Sequence, residues 1–82
     1  MNTGKDRHTA REAQILRERR IELGLTQMQV ALACGIELQQ YQRFEYGTRS
    51  LAKTRMVIGL KICAVLELDP YDLMLLDSTV SQ

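Results

Sequence analysis

Residues 24–47, GLTQMQVALACGIELQQYQRFEYG, decide the fold, because they predict two short helices joined by a tight turn. Thr26 and Gln29 have the T-x-x-Q spacing of a capping box, in which two side chains satisfy free groups at the start of a helix. Gly35 ends this helix, and a second, glutamine-rich helix follows and ends at Gly47. The stretch therefore predicts a helix pair around a glycine turn, and the second helix has a polar face.

The composition indicates a single small domain made of helices. The chain has 82 residues, and its five Gly and single Pro leave room for several helices. No segment sustains the alternation of apolar and polar residues that a half-buried strand requires. There is no apolar run near about 18 residues and no signal-peptide pattern, so we expect a soluble, cytoplasmic protein.

The formal net charge of +1 is small, but the charge is distributed unevenly along the chain. Residues 1–55 contain ten Lys and Arg against six Asp and Glu, a net charge of +4. Residues 56–82 contain one Lys against four Asp and Glu, a net charge of −3. This separation predicts one face for an anionic partner and another for something else, although a solvated run of charges explains it nearly as well.

Three further helices are predicted around the central pair, over residues 9–23, 54–66 and 70–76. The first begins at a capping box formed by Thr9 and Glu12, and the last begins at Asp69-Pro70. The predicted organisation is a flexible arm at 1–8, a folded domain at 9–76 and a polar tail at 77–82.

Helix 4 is predicted to bury one face, which carries Met56, Leu60, Cys63 and Leu66. Gly59 costs a helix about 1 kcal/mol relative to alanine, so we expect another element to pack closely there. Cys34 and Cys63 lie on apolar helix faces without CxxC or Cys/His spacing. Core thiols are therefore favoured over metal ligands or a redox pair.

Two charged residues fall on apolar stripes, Arg20 on helix 1 and Glu45 on helix 3. A buried guanidinium needs a carboxylate, because an unpaired buried charge costs several kcal/mol. Since each residue supplies what the other lacks, we predict an Arg20–Glu45 ion pair that joins the two helices. The alternative is two surface side chains whose aliphatic stems lie along apolar residues.

Four consecutive apolar residues, LMLL, occupy positions 73–76 of the last helix. They cannot all face one core, so some are exposed in a monomer or buried in a dimer. We predict a homodimer interface formed by Leu73, Leu75 and Leu76. On helix 2, Met28 and Leu32 lie opposite the inward face, either as isolated surface residues or as part of a partner patch.

These residues resemble the lambda-repressor-like (XRE/Cro) helix-turn-helix family of DNA-binding regulators, over roughly residues 9–76. The resemblance rests on the Arg20–Gly24 segment, Leu25-Thr26-Gln27, Ala31, the Gly35-Ile36 turn and Phe44-Glu45-Tyr46-Gly47. It implies a compact, all-α, five-helix domain with the helix-turn-helix at helices 2 and 3. It further implies that helix 3 lies in the major groove and that a homodimer occupies a two-fold symmetric site on double-stranded DNA.

Three features depart from the family pattern. Glu37 and Leu38 begin helix 3 where the family often has polar residues that tolerate a neighbouring anion. Tyr41 replaces a small aliphatic core residue, so the packing of helices 2 and 3 must adjust. The connection after Gly47 is also a few residues longer than usual. These departures affect the base contacts more than the fold.

The predicted DNA contacts divide into base reading and phosphate anchoring. Base reading is assigned to residues on the outer arc of helix 3, because glutamine can pair with adenine and arginine with guanine. These residues are Gln39, Gln42 and Arg43, and Leu38 is assigned to a thymine methyl group. Phosphate anchoring is assigned to Gln27, Gln40, Thr48, Arg49, Lys53 and Arg55. A solvated polar face is the alternative for helix 3, and packing against helix 2 is the alternative for Leu38.

The alternative function is a helix-turn-helix protein-interaction module, such as an antitoxin or a partner-binding subunit. The modest net charge, Glu37 and the outward Met28 and Leu32 favour it. An enzyme is not expected, because no nucleophile–base pair, carboxylate dyad or phosphate-binding glycine loop is present. No cofactor and no metal site are predicted, and the lone His8 lies in the polar arm.

Overall fold

The computed structural model describes residues 7–74, which form five α-helices and contain no strand. The helices are α1 (Arg7–Glu22), α2 (Gln27–Cys34), α3 (Leu38–Glu45), α4 (Met56–Val65) and α5 (Pro70–Met74). A short 3-10 helix, Leu51–Lys53, lies in the connection between α3 and α4. The predicted all-α class is confirmed. In the described part of the chain, no helix combines the length and apolarity needed to cross a membrane.

The helix-turn-helix has the ends that the sequence predicts. The Thr26 side chain accepts a hydrogen bond from the Gln29 amide over 3.0 Å, and the Gln29 side chain accepts one from the Thr26 amide over 2.8 Å. Gly35 ends α2 with a φ of 72°, a left-handed conformation that side chains disfavour. Its amide donates to the Leu32 carbonyl, which closes the turn before α3.

The core forms where α2 lies between α3 and α4 while α1 packs on α3. Large apolar side chains from every one of these helices are fully buried there, including Leu16, Val30, Phe44 and Ile62. Each such side chain stabilises the fold by about 1.5–3 kcal/mol through removal from water. Leu51 is also buried and anchors the 3-10 helix to this core. Cys34 and Cys63 are buried free thiols of the core.

The start of helix 1 was predicted wrongly. Thr9 does not cap the helix but lies inside α1, where it is buried. Glu12 does not complete a capping box either, because its carboxylate accepts hydrogen bonds from Ser50 and Leu51. Arg7 and His8, assigned to the flexible arm, are the first described residues of α1, and the rest of the arm lies outside the described residues.

The buried face of helix 4 also differs from the prediction. Cys63 and Leu66 are buried as expected, but Met56 is 78% exposed and Leu60 is 48% exposed. Ile62 is fully buried in their place. The sequence of α4, MVIGLKICAV, is apolar on nearly all sides, so its periodicity does not specify which side meets α2.

Close packing does not account for Gly59. A Cβ atom there would lie 3.7 Å from the Leu51 carbonyl oxygen and 4.0 Å from Thr54 Cγ2, which are ordinary van der Waals distances. Gly59→Ala is therefore expected to raise the free energy of unfolding by up to about 1 kcal/mol, through helix propensity alone. Urea denaturation measures this change.

The matched control for that substitution is Gly35→Ala. No heavy atom lies within 4 Å of a Cβ built at Gly35, but its φ of 72° is strained for alanine. A loss of about 1–2 kcal/mol is expected there. A Gly59→Ala variant less stable than the native protein would show that α4 cannot tolerate the added methyl group.

Helix 5 begins as predicted, and the Asp69 side chain accepts a hydrogen bond from the Tyr71 amide over 2.9 Å. Leu73, assigned to a dimer interface, is only 2% exposed and packs into the core of its own chain. The interface assignment of Leu73 is therefore wrong, because α5 uses this residue to close the core beside α4. Leu75, Leu76 and the predicted tail lie outside the described residues.

Candidate nucleic-acid interface

An ion pair at the C-terminal end of α3 joins this helix to α1. The Arg20 guanidinium donates from Nε to Glu45 Oε2 over 2.5 Å and from Nη2 to Glu45 Oε1 over 3.1 Å. Its Nη1 donates to the Leu25 carbonyl oxygen over 2.9 Å, immediately before α2. The Glu45 side chain is completely buried, and that of Arg20 is 13% exposed. One guanidinium thus connects α1, the start of α2 and α3.

The surroundings of Glu45 favour its ionised form. Burial acts to raise the pKa of Glu45, but hydrogen bonds from Arg20, Tyr41 and Gln27 together outweigh burial, so the pKa lies below its ordinary value. The hydrogen bond to Glu45 also raises the pKa of Arg20. Both groups therefore stay charged at neutral pH, and the orientation of α3 depends on a buried charge pair.

Tyr41 fits the core because its hydroxyl has a charged acceptor. The ring is fully buried, and the hydroxyl donates to Glu45 Oε2 over 2.5 Å. Burial and the neighbouring carboxylate raise the pKa of Tyr41, so the phenol remains a neutral donor. Tyr41, which departs from the family pattern, thus adds a hydroxyl donor to the Arg20–Glu45 pair.

Gln27, predicted to anchor a phosphate, has both ends of its amide bonded within the protein. Its Nε2 donates to Glu45 Oε1 over 3.0 Å, and its Oε1 accepts from Gln42 Nε2 over 3.1 Å. The chain of bonds runs from α1 through Glu45 and Gln27 to Gln42 on α3. Gln27 therefore positions α3 against α2, a role that its place at the start of α2 does not reveal.

The outer side of α3 carries the predicted base-reading residues. Gln39 and Arg43 are exposed, while Leu38 and Gln42 are half-buried. Glu37 precedes the helix as its N-cap, and its side chain forms no capping hydrogen bond. The opposite side of α3 is held by Tyr41, Phe44 and Glu45, as the periodicity predicts.

Four of the predicted DNA-contact residues surround a shallow depression beside α3. This arginine pocket, as we call it, has a volume of about 280 Å³, and its polar lining consists of Gln40, Arg43, Arg49, Thr54 and Arg55. The residues come from α3, from the connection that follows it and from the residue before α4. The structure thus groups Arg43, a predicted base reader, with Arg49 and Arg55, two predicted phosphate anchors.

The remaining predicted anchors, Thr48 and Lys53, are exposed and do not line the arginine pocket. The Thr48 hydroxyl donates to the Arg43 carbonyl oxygen over 3.1 Å, which extends the end of α3 into the connection. The Arg49 amide donates to the same carbonyl over 3.2 Å. These contacts determine the direction in which the chain leaves α3.

Glu12 is a structural residue that the sequence patterns misassigned. It is only 1% exposed, and its Oε1 accepts from the Leu51 amide over 2.9 Å and from the Ser50 hydroxyl over 3.2 Å. The Ser50 hydroxyl oxygen in turn accepts from the Ala52 amide and caps the 3-10 helix. Glu12 thereby fastens to α1 the connection that carries Arg49 and Lys53. Its T-x-x-E spacing pointed instead to a helix cap.

Arg19 is a second structural residue whose role helical periodicity did not reveal. Its Nε donates to the Leu66 carbonyl oxygen over 3.0 Å, and its guanidinium pairs with Glu22 and Glu67. Arg19 therefore caps the end of α4 from α1. This contact joins α1 to the end of α4.

Comparison with known proteins agrees with this geometry. A family model described as "Helix-turn-helix" matches residues 16–73, which is more than half of the chain. No significant match was found among curated proteins or among solved structures. The matched region includes both helices of the central pair, the Arg20–Glu45 ion pair and the arginine pocket. The chain is therefore a member of the lambda-repressor-like (XRE-type) helix-turn-helix family, a DNA-binding family that is generally non-enzymatic.

Proposed function

We propose that this chain is a small transcriptional regulator that binds double-stranded DNA sequence-specifically in the cytoplasm, with α3 in the major groove. The observation that carries the proposal is the two-sided character of α3. Tyr41, Phe44 and Glu45 are buried against the neighbouring helices, whereas Gln39 and Arg43 are exposed. A reading helix must be held rigidly to keep its side chains in register with base edges, and the Arg20–Glu45 pair supports this requirement.

The exposed side of α3 has suitable groups for base reading. The Gln39 amide combines an acceptor with donors, which suits adenine N6 and N7, and the Arg43 guanidinium suits guanine O6 and N7. Gln42 donates one N–H to Gln27, so its Oε1 and second N–H remain for a base. Leu38 is half-buried and can offer only part of its surface to a thymine methyl group.

Phosphate anchoring is assigned to the basic residues that follow α3, because their charges are exposed beside the reading helix. Arg49, Lys53 and Arg55 supply the positive charge, and Gln40 and Thr48 are neutral donors of the same region. Phosphate contacts of this kind fix the register of the protein on the duplex without reading sequence. Gln27 is retained as an anchor at the start of α2, where both ends of its amide also have partners within the protein.

Arg43→Ala is expected to weaken binding to the preferred DNA site by about 1–3 kcal/mol and to relax the preference at one base pair. Arg49→Ala or Lys53→Ala should instead weaken binding to all duplexes. Each should lower the slope of log K against log salt by about 0.9 per lost phosphate contact. Selection from random duplexes, followed by salt titrations, measures both effects.

The matched control is Arg17→Ala, which removes the same charge from an exposed position on α1. It is expected to leave the base preference and the salt slope nearly unchanged. If the native protein shows no preference among duplexes at about 0.15 M salt, the protein-interaction alternative is favoured. Met28 and Leu32, which are 48% and 71% exposed on α2, would then be the first surface to test.

We also propose that the chain acts as a homodimer, through exposed apolar residues of α4 and α5 in place of the buried Leu73. An apolar groove of about 420 Å³ lies between the 3-10 helix, α4 and α5, and its exposed residues include Met56, Leu60, Tyr71 and Met74. Leu75 and Leu76 follow Met74 directly in the sequence and continue its apolar run. In a two-fold dimer, the exposed apolar residues of this groove contact the same residues of a second copy of the chain.

Leu60→Glu and Leu75→Glu are expected to shift sedimentation from dimer towards monomer, because each places a charge in the apolar contact. Ile21→Glu, an exposed apolar residue on α1, is the control and should leave the dimer intact. A native protein that stays monomeric at high micromolar concentration would contradict the dimer.

A further inference from the structure

The arginine pocket has the chemistry of an anion site in the free protein. We propose that it binds one tetrahedral oxyanion in the absence of DNA, either inorganic phosphate or the phosphate group of a small metabolite. We further propose that the bound oxyanion withdraws Arg43 from base reading and so lowers specific DNA binding. Only this second statement rests on the proposed function.

Three arginines are among the residues that line the pocket, and no carboxylate within the described residues neutralises them. Within residues 7–74, Arg43, Arg49 and Arg55 form no ion pair with a carboxylate. By contrast, Arg19 and Arg20 pair with acidic residues in the same fold. Three like charges on residues that line one depression attract an anion, and an anion bound among them relieves their mutual repulsion.

The surroundings strengthen the attraction for an anion. Phe44, which is buried, and Ile58 also line the pocket, so part of its wall has low polarity and concentrates the field of the arginines. The ten-residue helix α4 begins at Met56, so the positive end of its dipole lies next to Arg55, a lining residue of the pocket.

The polar groups favour an oxyanion over a halide. A guanidinium presents two parallel N–H groups that match two oxygens of a phosphate, and a single chloride cannot use this geometry. Gln40 and Thr54 also line the pocket, and their side chains carry neutral hydrogen-bond donors. A phosphate group has enough acceptor oxygens to engage several of these donors at once.

The position of Arg43 connects the pocket to DNA recognition. Arg43 is exposed on α3, where it is assigned to a base, and it also lines the pocket beside Arg49 and Arg55. The two parallel N–H groups that its guanidinium gives to an oxyanion are not available to the two acceptors of guanine. An oxyanion in the pocket therefore competes with DNA for Arg49, a predicted phosphate anchor, and for Arg43, a predicted base reader.

The first experiment uses the native protein without DNA. Inorganic phosphate is added at constant ionic strength, balanced with chloride, while the Nε–H signals of the arginines are followed by NMR. Saturable shifts of Arg43, Arg49 and Arg55 are expected, with a dissociation constant on the order of 1 mM. Arg17, exposed on α1, should not shift. Parallel, non-saturating shifts of all four arginines, or no shifts, would overturn the proposal.

Variants assign the site. Arg49→Ala and Arg55→Ala are each expected to weaken phosphate binding about fivefold or more, whereas Arg17→Ala leaves it unchanged. Circular dichroism checks that each variant keeps its helices. If both variants fold and bind phosphate as tightly as the native protein, the arginine pocket is not the phosphate site, whatever the outcome of any DNA measurement.

A second experiment tests competition with DNA. Phosphate replaces chloride at constant ionic strength, and glycerol phosphate is used in a parallel series to represent a small metabolite. Affinity for the preferred duplex is expected to fall several-fold more than affinity for random duplexes, and Arg43→Ala should abolish this difference. Equal losses on both duplexes would refute the withdrawal of Arg43, although the oxyanion site would stand on the NMR result. Competition by glycerol phosphate identifies metabolites as a source, and competition by inorganic phosphate alone restricts the source to the free ion.

Discussion

Glu45→Ala is expected to lower the free energy of unfolding by about 3–5 kcal/mol. The substitution leaves the Arg20 guanidinium without its carboxylate and the buried Tyr41 hydroxyl without an acceptor. It also removes one partner of the Gln27 amide. Chemical denaturation measures the loss. A cost of this size is a large fraction of the about 4–12 kcal/mol expected for a domain of this length.

A double-mutant cycle separates the ion pair from these other contacts. Arg20→Ala alone is expected to cost a similar amount, because it leaves the Glu45 carboxylate buried and unpaired. The double variant should cost clearly less than the two single losses together, since neither charge then remains without its partner. Arg17→Ala, an exposed arginine of the same helix, should stay within about 0.5 kcal/mol of the native protein. Additive losses would show that the pair contributes no coupling energy.

The same pair gives stability a defined pH dependence. The pKa of Glu45 is lower in the folded protein than its ordinary value, so the carboxylate contributes stability above the unfolded pKa of about 4.3. That contribution is lost as pH falls through the folded pKa. Stability of the native protein should therefore decrease below about pH 4, and Glu45→Gln should decrease less over the same range.

Glu12→Ala is expected to destabilise the protein by about 1.5–3 kcal/mol, because a buried carboxylate that accepts the Leu51 amide and the Ser50 hydroxyl is lost. Glu12→Gln keeps an acceptor and should cost less. Since these bonds fasten the connection after α3 to α1, hydrogen exchange of the Leu51 amide should also accelerate. Denaturation and exchange together measure the effect.

The control for Glu12 is Glu18→Ala. Glu18 is exposed on the same helix, and its contact is a hydrogen bond from Gln14 one turn earlier. Its loss should cost no more than about 0.5 kcal/mol and should leave the Leu51 amide unchanged. If Glu12→Ala were as mild as Glu18→Ala, the connection would be held by Leu51 burial rather than by the carboxylate.

The helix-turn-helix could be predicted from local signals. The Thr26–Gln29 capping box and the left-handed Gly35 act over a few residues, so they operate in the same way whatever the rest of the chain does. The inward side of α3 followed from helical periodicity, because that helix has one polar arc and one apolar arc. The Arg20–Glu45 ion pair could be predicted because burying either charge without a partner costs several kcal/mol.

Other features depended on tertiary packing. The apolar α4 has no distinct face in its sequence, so its contact with α2 decided that Ile62 is buried and Met56 is exposed. Thr9 and Glu12 match a capping pattern, yet the continuation of α1 to Arg7 placed both inside the helix. Leu73 lies in a run of four similar residues, and only the packing of α5 beside α4 selects it for the core.

The amino-acid sequence by itself determined where the helices of the central pair begin and end and which side of α3 faces inward, because capping and periodicity are properties of neighbouring residues. The tertiary structure alone decided that Arg43, Arg49 and Arg55 surround one pocket. Their convergence depends on the path of the chain between α3 and α4, and that path is set by the contacts of Glu12 and Leu51 with distant elements.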